Sequence, residues 1–211
     1  MQIVPKILYL RQKHFEIMNI GLVANREKIG ALASYIGFRL PDVELRKLLK
    51  LFYLIDEEAV RERAFPITWL NYMAWEKGPV SPDLYAIKDG SFCDYVVCKK
   101  NAANKWVVSS VNKAEYPVMR QMRCLSENER KLVDRILEKY GSMSADELTS
   151  ITHRDGSLWS QAVARAGIDF CSTSESNVQI DLNALNSNNP DAQEIYEDAF
   201  DAVQIQAHLN S

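Results

Sequence analysis

The chain holds three histidines, of which His14 and His208 fall in the end segments, so a reaction that needs an imidazole would have to recruit His153 from the run THRDGSLW. With Asp155 two residues on, His153 has the makings of a general base for a serine or cysteine nucleophile. The rest of that chemistry is missing: there is no GxSxG elbow, no cysteine-centred signature and no glycine-rich loop to cradle a phosphate. The simpler use of His153 is a hydrogen bond to the Gly156 loop or to Asp56. No catalytic residue is assigned, and the protein is not expected to be an enzyme.

The thiols lead to a similar answer. Cys93, Cys98, Cys124 and Cys171 are irregularly spaced in a chain long enough to bury its own core, which favours free thiols over disulfides. In CDYVVC a strand would send Cys93 and Cys98 to opposite faces, and no second Cys or His pair follows at zinc-knuckle spacing. Neither a metal nor a cofactor is expected.

Asp56 is the misplaced charge. It follows Phe52 by one helical turn on the apolar stripe of Leu45, Leu49 and Ala59, so a carboxylate in that position must find hydrogen bonds or a cation. One reading makes Asp56 a structural hub that holds an incoming strand or loop by its backbone N–H groups. The other makes it part of a polar binding site.

The elements that must position these residues follow from periodicity. Leu45, Leu48, Leu49, Phe52, Ile55 and Ala59 predict a core helix beginning near Pro41-Asp42, preceded by an amphipathic helix from Arg26 to about Gly37. At Ile67 to Glu76 the alternation predicts a strand covered on both sides, stopped by Gly78-Pro79, with Ser81-Pro82 starting a short helix to Lys88. Asp94 to Lys100 and Lys105 to Val111 read as a hairpin around Asn101 to Asn104, expected to join the Ile67 strand in a small antiparallel sheet. Ser126 with Glu129, and Ser144 with Glu147, are capping boxes that open two further helices, separated by Gly141. The class is therefore α+β, mainly α-helical.

Residues 129–153 have a helix-turn-helix look, which raises a transcriptional repressor. The candidate recognition helix, however, begins with Asp146 and Glu147 and offers only Arg154 at its end, which argues against specific DNA contact.

Charge is unevenly distributed. Asp169, Glu175, Asp181, Asp191, Glu194, Glu197, Asp198 and Asp201 follow Arg165 with no Lys or Arg among them, so the end of the chain carries about −8 and, for a net charge of −3, the rest about +5. Ile168 to Asn189 is rich in Ser and Asn and reads as a linker with one short element. From Pro190 the residues Ala192, Ile195, Tyr196, Ala199, Phe200, Val203 and Ala207 make an apolar stripe on an acidic helix. That helix docks either on its own basic body or on a cationic partner.

Three pieces in order, KLLKLFYLIDEEA, ITWLNYMAWEKGPVSPDLYAIKDG and LSENERKLVDRILEKYGSMSADELTSITHRDGSLWSQA, resemble the Panacea domain, also called the SocA-like antitoxin domain, of phage-associated proteins. The likeness spans Arg26 to Ala164. It implies an antitoxin of a toxin-antitoxin system that binds and inactivates a protein toxin, in some members by delivering it to a protease, and it carries over no catalytic residue. The expected partner is a cognate toxin encoded by a neighbouring gene, with a proteolytic adaptor or a repressor as the alternatives.

The expected organisation is an N-terminal extension (1–25), a Panacea-like domain (26–167), a polar linker (168–189) and an acidic helix (190–211). The extension is either an added element packing on the domain or a stretch upstream of the true start, with Met18 available. Asp56, Gly78, Pro79, Tyr85, His153 and Trp159 are the expected partner-binding patch, and Ile195, Phe200 and Asp201 its counterpart on the tail. No apolar run approaches the ~20 residues of a membrane span, and a cytoplasmic location is expected.

Overall fold

The fold comes from a computed structural model that describes residues 20–210, the side chains of Ile20 and Asn210 excepted. The expectation for the N-terminal extension falls almost wholly outside that range. Helix α1 (Ile20–Arg39) has a non-helical residue at Asn25, with φ −122° and ψ 20°, so its regular part starts at Arg26, where the Ile29, Leu32, Ile36 pattern begins.

The central helix, α2 (Leu45–Arg63), starts later than the sequence suggests. Asp42 turns the chain at φ 54°, and Val43–Glu44 form a short strand, β1, before the helix begins. Once begun, α2 is buried nearly all round, with Leu48, Leu51, Phe52 and Ile55 at 0% exposure. A helix with so wide an apolar face belongs inside a domain, and its charged residues Arg61 and Glu62 are left at the exposed end. It ends at Ala64, whose N–H still donates to the Val60 carbonyl and whose left-handed φ of 70° turns the chain out of the helix.

The hairpin β4 (Val96–Lys100) and β5 (Trp106–Ser110) forms as expected, but its third strand is β1, in the antiparallel order β1-β5-β4. The Ile67 to Glu76 run is the main correction. Only Met73–Trp75 is a strand, β2, and it pairs with Gly78–Val80, β3, so Gly78-Pro79 opens the returning strand instead of stopping one. The reason lies upstream: the N–H groups of Ile67 and Thr68 are held by Asp56, and Trp69 sits at φ 58°, which breaks strand geometry.

Helix α3 (Pro82–Tyr85) continues into a 3-10 turn over Ala86–Asp89, matching the expected extent, although the Ser81 side chain makes no capping hydrogen bond. After α4 (Glu115–Gln121) come α5 (Glu127–Tyr140) and α6 (Ala145–Thr152), and both capping boxes are closed. Each such cap is worth about 1 kcal/mol. Helix α7 (Leu158–Ala166) ends at Gly167, which takes φ 62°.

The polar segment after α7 is laid on the body. Ala74 N–H donates to Val178 O at 2.8 Å, Ile180 N–H to Tyr72 O at 2.7 Å, and the Asn186 side-chain amide to Ala64 O at 2.9 Å. It thus adds a third line to the β2-β3 ribbon and ends in a 3-10 turn, Leu182–Asn186, packed on α2. The last helix, α8 (Pro190–Asn210), docks on α1 and on Trp69.

Candidate functional site

Asp56 is fully buried and saturated. Its Oδ1 accepts from Ile67 N–H at 2.8 Å and Thr68 N–H at 2.9 Å, while Oδ2 accepts from the Tyr72 hydroxyl at 2.8 Å and from the Thr68 hydroxyl. Burial pushes its carboxyl upward, and the donors from Thr68, Tyr72 and Ile67 pull it partly back. At 0% exposure it offers nothing to a partner in this conformation. Its effect is to fix Ile67 to Tyr72, and through them the ribbon that follows.

Trp75 gathers most of the predicted patch. Its ring meets Tyr85 edge-on at 5.3 Å, its carbonyl accepts the Trp159 indole N–H at 2.9 Å, and its backbone pairs with Gly78. Trp159 in turn stacks on His153, with ring centroids 3.6 Å apart and planes 5° from parallel, and lies parallel to Phe170 at 6.0 Å.

Below this layer is a lysine that the sequence reading passed over. Lys50 is 1% exposed, and its ammonium donates to the Lys77 carbonyl. Burial, with Arg46 nearby, lowers its pKa to about 8. His153 is held neutral, its pKa lowered to about 4 by burial and by the charges of Lys50 and Lys77. Gly78 joins the two: at φ 107°, a Cβ on it would lie 3.0 Å from Lys50 Nζ and Thr152 Oγ1 and 3.2 Å from His153 Nε2. Only glycine satisfies both the backbone and the space at that point.

Beside the cluster opens a groove of about 320 Å³, lined by the rings of Trp75, Tyr85 and Trp106, with Leu49 and Val80 among its apolar residues. Arg46, Lys77 and Lys105 also line it, and each is paired: Arg46 with Asp146 at 2.9 Å, Lys77 with Glu76 at 3.2 Å, and Lys105 with Glu44 at 3.0 Å. Lys88 lies 4.1 Å over the Tyr85 ring and Lys100 5.3 Å over Trp106. The arrangement suits apolar and aromatic contact with a polar rim, the anatomy of a protein-binding surface.

The structure therefore brings Gly78, Pro79, Tyr85, His153 and Trp159 to one place and leaves Asp56 behind it. The tail residues lie elsewhere. Phe200 faces inward, 5.5 Å from Trp69, while Ile195 and Asp201 face solvent. Lys50, Trp75, Trp106 and Phe170 are additions. A lysine inside the apolar run Leu48 to Phe52 was the available signal for the first, since its stem can be buried while its head seeks a carbonyl.

Among the described residues no cluster of His, Cys, Asp and Glu could hold a metal ion, and no helix is long and apolar enough to cross a membrane. The four cysteines are unbonded, and burial pushes Cys124 up to about 11.

A mainly helical α+β domain with a ring-lined groove beside a two-stranded ribbon is the class that this fold and site define. Residues 48–160 match the family described as antitoxin SocA-like, Panacea domain, over more than half of the chain. The chain belongs to that family. Membership points to an antitoxin role in general, and with it to a toxin as partner. No curated protein and no solved structure matches the chain.

Proposed function

We propose that the protein neutralises a partner protein toxin by direct, stoichiometric binding, and that the groove of Trp75, Tyr85 and Trp106 is the contact surface. The observation that carries this reading is the placement of the groove: all three rings fall within the residues matched by the antitoxin family, Trp75 on the ribbon held by Gly78, Lys50 and His153, and Tyr85 and Trp106 on the elements beside it. Aromatic side chains at the centre of a polar rim are where binding energy concentrates. His153, neutral and half-buried with its Nε2 enclosed, serves packing here and is poorly suited to general-base work.

The repressor alternative draws little support from α6, whose outward residues Asp146 and Glu147 would meet phosphates with the wrong charge and whose outward Ser150 adds no cation. Co-expression with the product of the adjacent gene tests the proposal. Rescue of an otherwise lethal neighbour, with a one-to-one complex recovered through a tag on this protein, is the expected result. Rescue that requires an ATP-dependent protease and leaves no stable complex would favour the adaptor, and a complex unaffected by Tyr85→Ala and Trp106→Ala would remove the groove from it.

A further inference from the structure

Helix α8 carries two apolar stripes, of which one is covered by the described residues. The inner stripe rests on the body, with Tyr196 and Phe200 against Trp69 at 5.0 and 5.5 Å and Ala207 buried. The second consists of Ile195, Ala202 and Leu209, seven residues apart, with Ile205 and Asp198 likewise seven apart between them. Seven residues return an α-helix to within ~20° of the same direction, so these five side chains form a continuous seam roughly 20 Å long. It faces solvent: Ile195, Ile205 and Leu209 are 48%, 63% and 76% exposed.

The charges around the seam restrict what can cover it. Glu194 and Asp201 edge it and Asp198 lies within it, and none of these, nor Glu197, forms an ion pair among the described residues. A second copy of α8 would bring no cation, because no Lys or Arg follows Arg165, and covering Asp198 with it would bury an unpaired carboxylate. An anionic lipid surface would be repelled. What fits is an amphipathic helix with an apolar stripe at the same seven-residue spacing and Lys or Arg opposite Asp198 and along the one edge that carries Glu194 and Asp201.

We propose that the outer face of α8 is a docking seam for a cationic amphipathic helix of a partner protein, packed in coiled-coil fashion. The seam shares no residue with the groove, and its test does not depend on neutralisation.

The full chain is titrated calorimetrically with a synthetic Leu/Lys amphipathic helix of 21 residues and with its Leu/Glu counterpart, beside an Ile205→Asp/Leu209→Asp variant. Both positions point outward, so thermal unfolding should be unchanged in the variant. The seam predicts binding of the Leu/Lys peptide alone, weakened at least tenfold by the double substitution. General attraction between a basic peptide and an acidic helix predicts the reverse, because the variant has two more negative charges. Equal or tighter binding to the variant, or no binding to the native chain, overturns the proposal. Concentration-dependent dimerisation of the native chain that the double variant abolishes also overturns it, in favour of a second copy.

Discussion

The ammonium of Lys50 reaches from the central helix to the carbonyl of Lys77, inside the protein and under the Gly78-Pro79 strand. A buried cation held by a backbone carbonyl and no carboxylate is an uncommon way to fasten a two-stranded ribbon, and it has a signature in pH. The folded pKa, about 8, lies below the ordinary 10.5, so between those values the unfolded chain binds more protons than the folded one. The stability contribution of Lys50 should therefore improve as pH rises from about 8 to about 10.5, by on the order of 3 kcal/mol. Denaturation of the native protein and of Lys50→Met at pH 7.5 and pH 10 isolates the effect. The variant should lack this rise, and parallel pH profiles would mean that Lys50 is not buried as a titrating cation.

Gly78 should tolerate alanine worse than other left-handed glycines. Gly156, at φ 76°, has nothing within 4 Å of an added Cβ, whereas Gly78 has Lys50, Thr152 and His153 within 3.2 Å. Gly156→Ala therefore meets backbone strain alone, about 1 kcal/mol, and Gly78→Ala should lose about 2 kcal/mol more, because three crowded side-chain atoms would each have to shift inside a buried cluster. Chemical denaturation of the two variants compares them directly. Equal losses would show that Lys50 and His153 yield freely.

What could be read from the sequence depended on the range of the interactions involved. Elements whose cause is local were legible: the capping boxes of Ser126 and Ser144, the hairpin around Asn101, and the helix from Arg26. Asp56 was recognisable as an anomaly, and the hub reading predicted its hold on backbone N–H groups. What escaped depended on tertiary partners. The Ile67 run alternates like a strand, but the Asp56 hydrogen bonds take its donors and Trp69 turns left-handed to receive α8. The pairing of β1 with β5, and of residues near Val178 with β2, joins segments far apart in the chain that no local pattern connects.

Removing the Asp56 carboxylate should act on folding before it acts on any partner. Asp56→Ala leaves the Ile67 and Thr68 N–H groups and the Tyr72 hydroxyl buried without acceptors, at about 1–3 kcal/mol each. A loss of at least 3 kcal/mol is expected, with Tyr72→Phe nearer 1 kcal/mol. If the protein neutralises a toxin as proposed, that activity should fall only in step with the folded fraction, measured by circular dichroism under the assay conditions. Full stability with lost neutralisation would instead make Asp56 a contact residue and require this part of the protein to open.

Tyr85 and Trp106 allow the converse experiment, since both are half-buried and line the groove from different elements, Tyr85 at the end of α3 and Trp106 at the start of β5. Neither side chain belongs to the Asp56 or Lys50 clusters, so truncation should leave the melting temperature within a few degrees of the native value. If the groove receives the toxin, each ring removed exposes apolar surface that the partner had covered, and losses of 2 kcal/mol or more are typical of such anchors. Tyr85→Ala and Trp106→Ala should each weaken a measured toxin complex at least tenfold, mainly through faster dissociation. Lys88→Ala, which uncovers the Tyr85 ring without removing it, should change affinity far less. A complex that survives both ring truncations would move the contact away from the ribbon and leave the outer face of α8 as the surface to examine.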